Sequence, residues 1–257
     1  MKANLLLVCG IVLAGGTAQA QVGVIQNNPL MQRDYSKVGS NEYGNLTDLT
    51  NGAPHLLTRS TRPGTLGSPY ADNRWLSADI ALANKLPLKP VLLKYDVLEH
   101  RLIMYRSAPE NDSIELDDHE VAAFVLKEPA SNLGPARQRL FRRFEESAVG
   151  SQRLDYVEVL HAGHYTLLKH YLKTIKKPSF DGMYSNGAAP DEIEDALEYF
   201  LKATDGPLTP VKLNAKSVQA AAPALAAALK TAISAQKPRT DANWAAVLDA
   251  ADPVAAK

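Results

Sequence analysis

The chain has 257 residues, with 28 basic and 28 acidic side chains, 46% hydrophobic residues and a single cysteine. Balanced charge gives no electrostatic pull toward nucleic acid or an anionic membrane surface. One cysteine cannot form an intramolecular disulfide, so stability has to come from an ordinary hydrophobic core.

The first predicted element is a targeting segment. Lys2 precedes the apolar run Leu5–Ala14, and the small-residue triplet Ala18-Gln19-Ala20 follows just before Gln21, the order of a secretory signal peptide cleaved after Ala20. As a membrane anchor the run is too short, since a span needs about 20 apolar residues and Gly15, Gly16, Thr17 and Gln19 interrupt it. No later stretch is long and apolar enough to cross a bilayer. Cys9 lies inside the run and is removed with it; a lipoprotein box at Leu6-Leu7-Val8-Cys9 has little apolar sequence ahead of it. The expected mature chain is exported, periplasmic or secreted, thiol-free and nearly neutral, because losing Lys2 leaves 27 basic against 28 acidic residues.

Residues 21–68 are rich in Asn, Gly, Ser, Thr and Pro and hold no sustained period of 2 or 3.6, which predicts a flexible leader. The glycosylation-type triplets Asn45-Leu46-Thr47 and Asn111-Asp112-Ser113 read as chance occurrences.

Residues 69–213 change character. Short alternating or continuous apolar runs occur at Val91–Val97, Arg101–Tyr105, Ser113–Leu116, Val121–Leu126, Leu140–Phe144, Asp155–Leu160, Tyr165–Ile175, Leu197–Lys202 and Leu208–Leu213. Turn formers separate them at Asn111-Asp112, Asp117-Asp118, Asp181-Gly182, Asn186-Gly187 and Asp205-Gly206-Pro207. Short connections of this kind predict antiparallel hairpins or a meander. A two-residue turn at Ala162-Gly163 would place Val157 opposite Leu168, Val159 opposite Thr166, Asp155 opposite His170 and His161 opposite His164. The face carrying Val157, Val159 and Leu168 is then the expected buried side.

Residues 214–257 turn to alanine and leucine. Ser217 can cap a short helix, Pro223 suits the first turn of a second one running to about Ala235, and Leu225, Leu229 and Ile233 give that helix an apolar stripe. Pro238 ends it, and Thr240 or Asp241 caps a last helix with Trp244, Val247 and Leu248. The predicted fold class is α+β: mainly antiparallel β hairpins or a meander, with two or three C-terminal helices packed on the sheet.

The segments Gly67-Ser68-Pro69-Tyr70, Val91–Val97 (VLLKYDV), Leu140–Glu146 (LFRRFEE), Asp155–Leu160 (DYVEVL), Tyr165–Thr174 (YTLLKHYLKT) and Asp191–Lys202 (DEIEDALEYFLK) recur in this order in a way that resembles uncharacterised exported proteins common in the Bacteroidota. The resemblance covers roughly residues 67–235. It implies export and a single-module organisation, and it transfers no functional residue.

The densest chemistry-bearing cluster is His161, His164 and His170. Across the expected turn His161 and His164 could share a divalent metal, with a third ligand drawn from His55, His100 or His119. His170 lies about 20 Å further along the strand at ~3.3 Å per residue, too far to join them. Asp155 opposite His170 resembles two members of a catalytic triad. No Gly-x-Ser-x-Gly elbow supplies the nucleophile, and Ser185 within Gly182–Gly187 reads as turn chemistry. His119-Glu120 lacks the second histidine of a zinc-protease helix, because position 123 is Ala123. Asp117 and Asp118, near Glu115 and Glu120, lack the central glycine of a calcium loop. Arg137, Arg139, Arg142 and Arg143 interleave with Leu140, Phe141 and Phe144, which predicts a half-buried strand with a charged outer face. Lys169, Lys173, Lys176 and Lys177 read as the wet side of an edge strand. Gly64 and Gly67 stand alone, so neither a phosphate loop nor a dinucleotide fingerprint can be built and no cofactor is expected.

The resulting expectation is a non-enzymatic binding or structural module of the cell envelope, with an envelope protein or a polysaccharide as partner and no nucleic acid. The alternatives are a hydrolase centred on Asp155 and His170 and a divalent-metal protein using His161 and His164.

Overall fold

A computed structural model of the chain describes Leu49, Thr61 and residues 63–106, 112–132, 134–178 and 190–252. Ten antiparallel strands form one sheet: β1 (Leu76–Leu82), β2 (Val91–Asp96), β3 (Arg101–Arg106), β4 (Asp112–Leu116), β5 (Val121–Glu128), β6 (Arg137–Arg143), β7 (Tyr156–Ala162), β8 (Tyr165–Lys176), β9 (Glu192–Ala203) and β10 (Leu208–Val211). Three helices follow, α1 (Ala215–Ala221), α2 (Ala226–Gln236, entered through a 3₁₀ turn at Pro223–Leu225) and α3 (Asp241–Ala251). The α+β class expected from the sequence is the observed one.

The spatial order is β10-β9-β8-β7-β6-β5-β1-β2-β3-β4. Consecutive strands are neighbours except β4 and β5: the chain returns from the β4 edge to place β5 beside β1, which therefore pairs with both β2 and β5. In a flat sheet β2 and β7 would lie about 19 Å apart, four strand spacings of ~4.8 Å. Instead the Tyr95 hydroxyl on β2 accepts a hydrogen bond from the Tyr156 amide on β7 at 3.2 Å, and their ring centroids are 5.5 Å apart. The sheet therefore curls onto one of its faces, here called the inner face. Leu76, Ala78, Ile80, Leu93, Tyr95, Leu102, Met104, Phe124, Leu126, Phe141 and Tyr156 fill that concavity.

The same face continues across β7–β10, where the helices cover it. Tyr165, Leu167 and Leu201 meet Val218, Leu229, Trp244, Val247 and Leu248, all buried. At about 1.5–3 kcal/mol for each large apolar side chain removed from water, this contact holds the helices far more strongly than their propensity could. Asn214, not Ser217, caps α1: its side chain accepts from the Ser217 amide at 2.9 Å, while the Ser217 hydroxyl accepts from the Lys212 amide. Thr240 caps α3 in a reciprocal capping box with Asn243. Among the described residues no single helix is long and apolar enough to cross a membrane.

The β7–β8 hairpin differs from its expected register. Val157 lies opposite His170 and Val159 opposite Leu168, two residues away from the expected pairing, and a bulge between Val159 and His161 then puts His161 opposite Leu167. A shift of two keeps Val157, Val159, Leu168 and His170 together on one face, whereas the bulge turns His161 to the other. The end of α3 packs closely on this turn. A Cβ at Gly163 would lie 2.6 Å from Asp252 Oδ2 and 2.8 Å from His161 Nε2, so only glycine lets the end of α3 sit on the turn. The helices cover the Tyr165 and Leu167 face, while the expected Val157 and Leu168 face is buried as well, packing with Phe144 in a smaller outer cluster.

Two further expectations are corrected. β8 is an interior strand where it pairs with both β7 and β9, so Lys169 protects no edge and is instead buried against Asp241 of α3 (2.6 Å); Lys173 and Lys176 lie beyond the β7 pairing, which ends at His170, and pair with Asp195 and Glu194 of β9. On β6 the alternation places Arg139 and Arg143 beside Phe141 on the inner face, with Arg143 4.1 Å from the Tyr156 ring, and leaves Arg142 outward against Glu146. The described parts of residues 21–68 are tied to the domain: Leu49 is in the core, and Leu66 exchanges backbone hydrogen bonds with Asp191 and Ile193 at the start of β9. Asn45, His55, Asn111 and Ser185 lie outside the described residues.

Candidate functional site

The histidines singled out in the sequence occupy three different environments. His161 is buried, with Nδ1 2.6 Å from Asp249 Oδ1 and Nε2 3.4 Å from Asp252 Oδ2; Asp252 also accepts the Tyr165 amide at 2.7 Å. This cluster joins the sheet to α3. His164 is exposed in the turn, edge-on to the Tyr165 ring. The bulge sends His161 inward to the α3 carboxylates while His164 stays exposed in the turn, so the two candidate ligands occupy different environments. Among the described residues no group of three or more His, Cys, Asp or Glu side chains has the geometry to hold a metal ion.

Asp155 and His170 do meet, despite the altered register: His170 Nε2 is 2.9 Å from Asp155 Oδ2. The other ring nitrogen, Nδ1, faces Glu198 Oε2 at 3.3 Å, and the imidazole is fully buried. A ring flanked by carboxylates at both nitrogens directs neither of them at a hydroxyl, whereas a general base needs one nitrogen on its nucleophile. His100, from the β2–β3 turn, brings Nδ1 to 2.6 Å from Asp155 Oδ1. That approach is a charge contact without hydrogen-bond alignment, and Oδ1 is buried with no aligned donor. Burial pushes the Asp155 carboxyl up, but His100 and His170 outweigh it and hold the group below its usual value; Asp155 in turn raises His100.

These directions set a stability profile. A lowered Asp155 contributes stability that is present above about pH 3.9 and is lost as the pH falls through its folded value. A raised His100 contributes below about pH 6.5 and is lost as the pH rises through its folded value. The stability difference between the wild type and Asp155→Asn is expected to be largest between about pH 4 and 6.5 and to shrink on both sides. Urea midpoints from pH 3 to 9 measure it, and a difference that stays constant with pH would refute the pairing.

The His100 turn also borders a concave feature that combines convergent polar groups with open access. Residues 69–71 cross the end of β2, held by Ala71 N to Tyr95 O (3.0 Å) and Val97 N to Pro69 O (2.9 Å). Between this crossing and the β2–β3 turn lies a cleft of about 290 Å³, lined by Gly67, Ser68, Tyr70, Asn73, Asp96 and Arg101 together with Thr61, Pro69, Leu98 and Glu99. Its size is near the lower end of small-molecule sites, at about 300 Å³. Gly67 is required where it stands, because its φ is +94° and a Cβ would lie 2.9 Å from the Ile193 carbonyl oxygen.

The floor of the cleft is preorganised. Asp96 is only 3% exposed. Its Oδ1 accepts from the Glu99 amide at 3.2 Å and its Oδ2 from Arg101 Nε at 3.3 Å, while Arg101 Nη1 reaches Glu115 at 3.0 Å. Desolvation raises the Asp96 carboxyl despite these donors. Beside the cleft, the Lys94 ammonium lies 4.6 Å from both the Tyr70 and the Trp75 ring centroids, and Trp75 packs against Tyr105 at 5.5 Å.

Sequence reasoning missed this cleft. The available signal was the outward alternation of Lys94 and Asp96 within VLLKYDV, followed by the polar turn Glu99-His100-Arg101. Ser68, Tyr70 and Asn73 belong to a segment with no periodicity, and only the crossing of β2 brings them there. Compared with protein-family models, curated proteins and solved structures, the chain matches none.

Proposed function

We propose that the chain is an exported, non-enzymatic binding module of the cell envelope that takes a small polar ligand in the cleft between residues 67–73 and the β2–β3 turn. The observation that carries this reading is the rigid Asp96–Arg101 pair at the bottom of an open, polar-lined cavity, because fixed donors and acceptors in a concave site give orientation and specificity at low reorganisation cost. The apolar run Leu5–Ala14 ahead of Ala18-Gln19-Ala20 supports export, and the resemblance to exported proteins of the Bacteroidota agrees with it. A binding rather than hydrolytic role is favoured because both ring nitrogens of His170 are taken by carboxylates.

A thermal-shift screen of monosaccharides, amino acids and small carboxylates tests the reading on the full chain, beside Ser68→Trp, which fills the cleft from its half-buried rim. At a ligand concentration of about 100 Kd, binding adds roughly 2.7 kcal/mol of apparent stability. A class of compounds that raises Tm in the wild type and not in the filled variant is the expected result. No shift, or an equal shift in both proteins, would overturn it.

A further inference from the structure

Three aromatic rings beside the cleft have no part in the core. Tyr70, Trp75 and Tyr105 are half-buried, and they sit on the outer side of β1–β3 while the core rings Tyr95, Phe124, Phe141 and Tyr156 occupy the inner side. Strand register orders this outer strip. Asp96 pairs with Arg101 at the cleft, Lys94 follows opposite Ile103, and Tyr105 lies opposite Leu92. From Asp96 to the Leu92 level is four residues, about 13 Å at ~3.3 Å per residue. Tyr70 belongs to the cleft wall and to the strip at once, so the two form one continuous surface.

This surface carries no excess of positive charge. Asp96, Glu99 and Glu115, the last bonded to Arg101, stand against Arg101 and Lys94, and Lys94 is held over two rings, where burial lowers its pKa. A surface without excess positive charge offers nothing to an anionic ligand, and one that alternates planar rings with fixed donors and acceptors suits a ligand with apolar faces and polar edges. A pyranose has that form: axial C–H groups face an aromatic ring while the equatorial hydroxyls bond carboxylate, amide and guanidinium groups. Resting on the binding reading above, we infer that the ligand is a neutral glycan chain, with one sugar seated in the cleft against Asp96, Arg101 and Asn73 and the following units laid over Trp75 and Tyr105.

The chain has two tryptophans, and the other, Trp244, is buried under the helices, so Trp75 reports on this surface. The test titrates the full chain with maltohexaose, cellohexaose and chitohexaose, with their monosaccharides, and with hexagalacturonate as an acidic counterpart, following tryptophan emission and calorimetry. One neutral hexamer is expected to bind saturably and shift the emission, and to bind more tightly than its monosaccharide. Trp75→Ala and, at the far end of the strip, Tyr105→Ala are each expected to weaken hexamer binding about tenfold, the scale of one aromatic contact. Both should leave monosaccharide binding unchanged, and Trp244→Phe should keep the emission response. Hexamer binding no tighter than monosaccharide binding, or full affinity in both strip variants, would overturn the chain assignment while the cleft reading stands. Preference for the acidic hexamer would overturn neutrality. Absence of binding by every saccharide would overturn the glycan class, leaving the cleft itself to the small-molecule screen with Ser68→Trp.

Discussion

Replacing Arg139 by leucine is expected to remove about 3–5 kcal/mol of folding stability, the scale for breaking a buried ion pair from one side. Arg139 is 5% exposed and Glu158 3%. The guanidinium donates from Nε and Nη2 to the two Glu158 oxygens at 2.9 and 3.1 Å, from Nη2 to the Tyr171 hydroxyl at 2.7 Å and from Nη1 to Asp72 at 3.1 Å. The Tyr171 hydroxyl closes the loop by donating to Glu158. Without the arginine, Glu158 keeps a single phenolic donor for a charge shut away from water. Removing both charges in Arg139→Leu/Glu158→Leu is therefore expected to restore much of the loss, because the desolvation of an unpaired carboxylate disappears with it. Urea denaturation of both proteins at pH 7 measures this, and a double variant less stable than the single one would contradict it. The consequence reaches the cleft: Asp72 lies in the segment that forms the cleft wall, and Arg139 and Arg74 hold it in place.

Phe141→Ala is the second large loss expected, again about 3–5 kcal/mol, from lost transfer energy plus an unfilled cavity. Its ring stacks on Phe124 at 4.9 Å with 7° between planes, approaches Tyr95 at 6.3 Å and Tyr171 at 6.1 Å, and lies 5.4 Å from the Arg139 guanidinium carbon. It is the place where the curled half of the sheet meets the buried ion network. Phe141→Leu keeps most of the volume and is expected to cost about 1–2 kcal/mol, the aromatic contribution with a small packing change. Near-UV circular dichroism should lose intensity in both variants, since three tyrosine or phenylalanine neighbours lose an asymmetric partner. A Phe141→Ala protein within about 1 kcal/mol of the wild type by urea denaturation, well below the usual cost of such truncations, would mean that the inner face does not close on this ring.

Most strands were legible because their cause is local. VLLKYDV, RLIMY, VAAFVL and YTLLKHY carry β-branched or aromatic residues between turn formers, and their strands appear within one or two residues of the expected bounds. β1, with the sequence LSADIAL, was not expected, because Ser, Ala and Asp favour strands poorly. It forms because β2 and β5 pair with it on both sides and Leu76, Ala78, Ile80 and Leu82 alternate into the core. The meeting of Asp155 with His170 was anticipated; the second carboxylate on His170 and the approach of His100 were not, since Glu198 and His100 lie 28 and 55 positions from the nearer partner in the chain.

Taken by itself, the sequence determined the α+β class, the antiparallel connectivity, the positions of most strands and the three C-terminal helices. Each follows from side-chain periodicity, turn chemistry and capping within a few residues. The tertiary structure alone decided which face of the sheet became the inside, where the β7 strand bulges, which arginine was buried and that a cleft exists beside the His100 turn. Those outcomes depend on contacts between distant parts of the chain, such as Tyr95 with Tyr156 across 61 residues and Tyr165 with Asp252 across 87. No local pattern encodes them, because a strand with apolar residues on both sides fits either face until curvature and helix docking choose one.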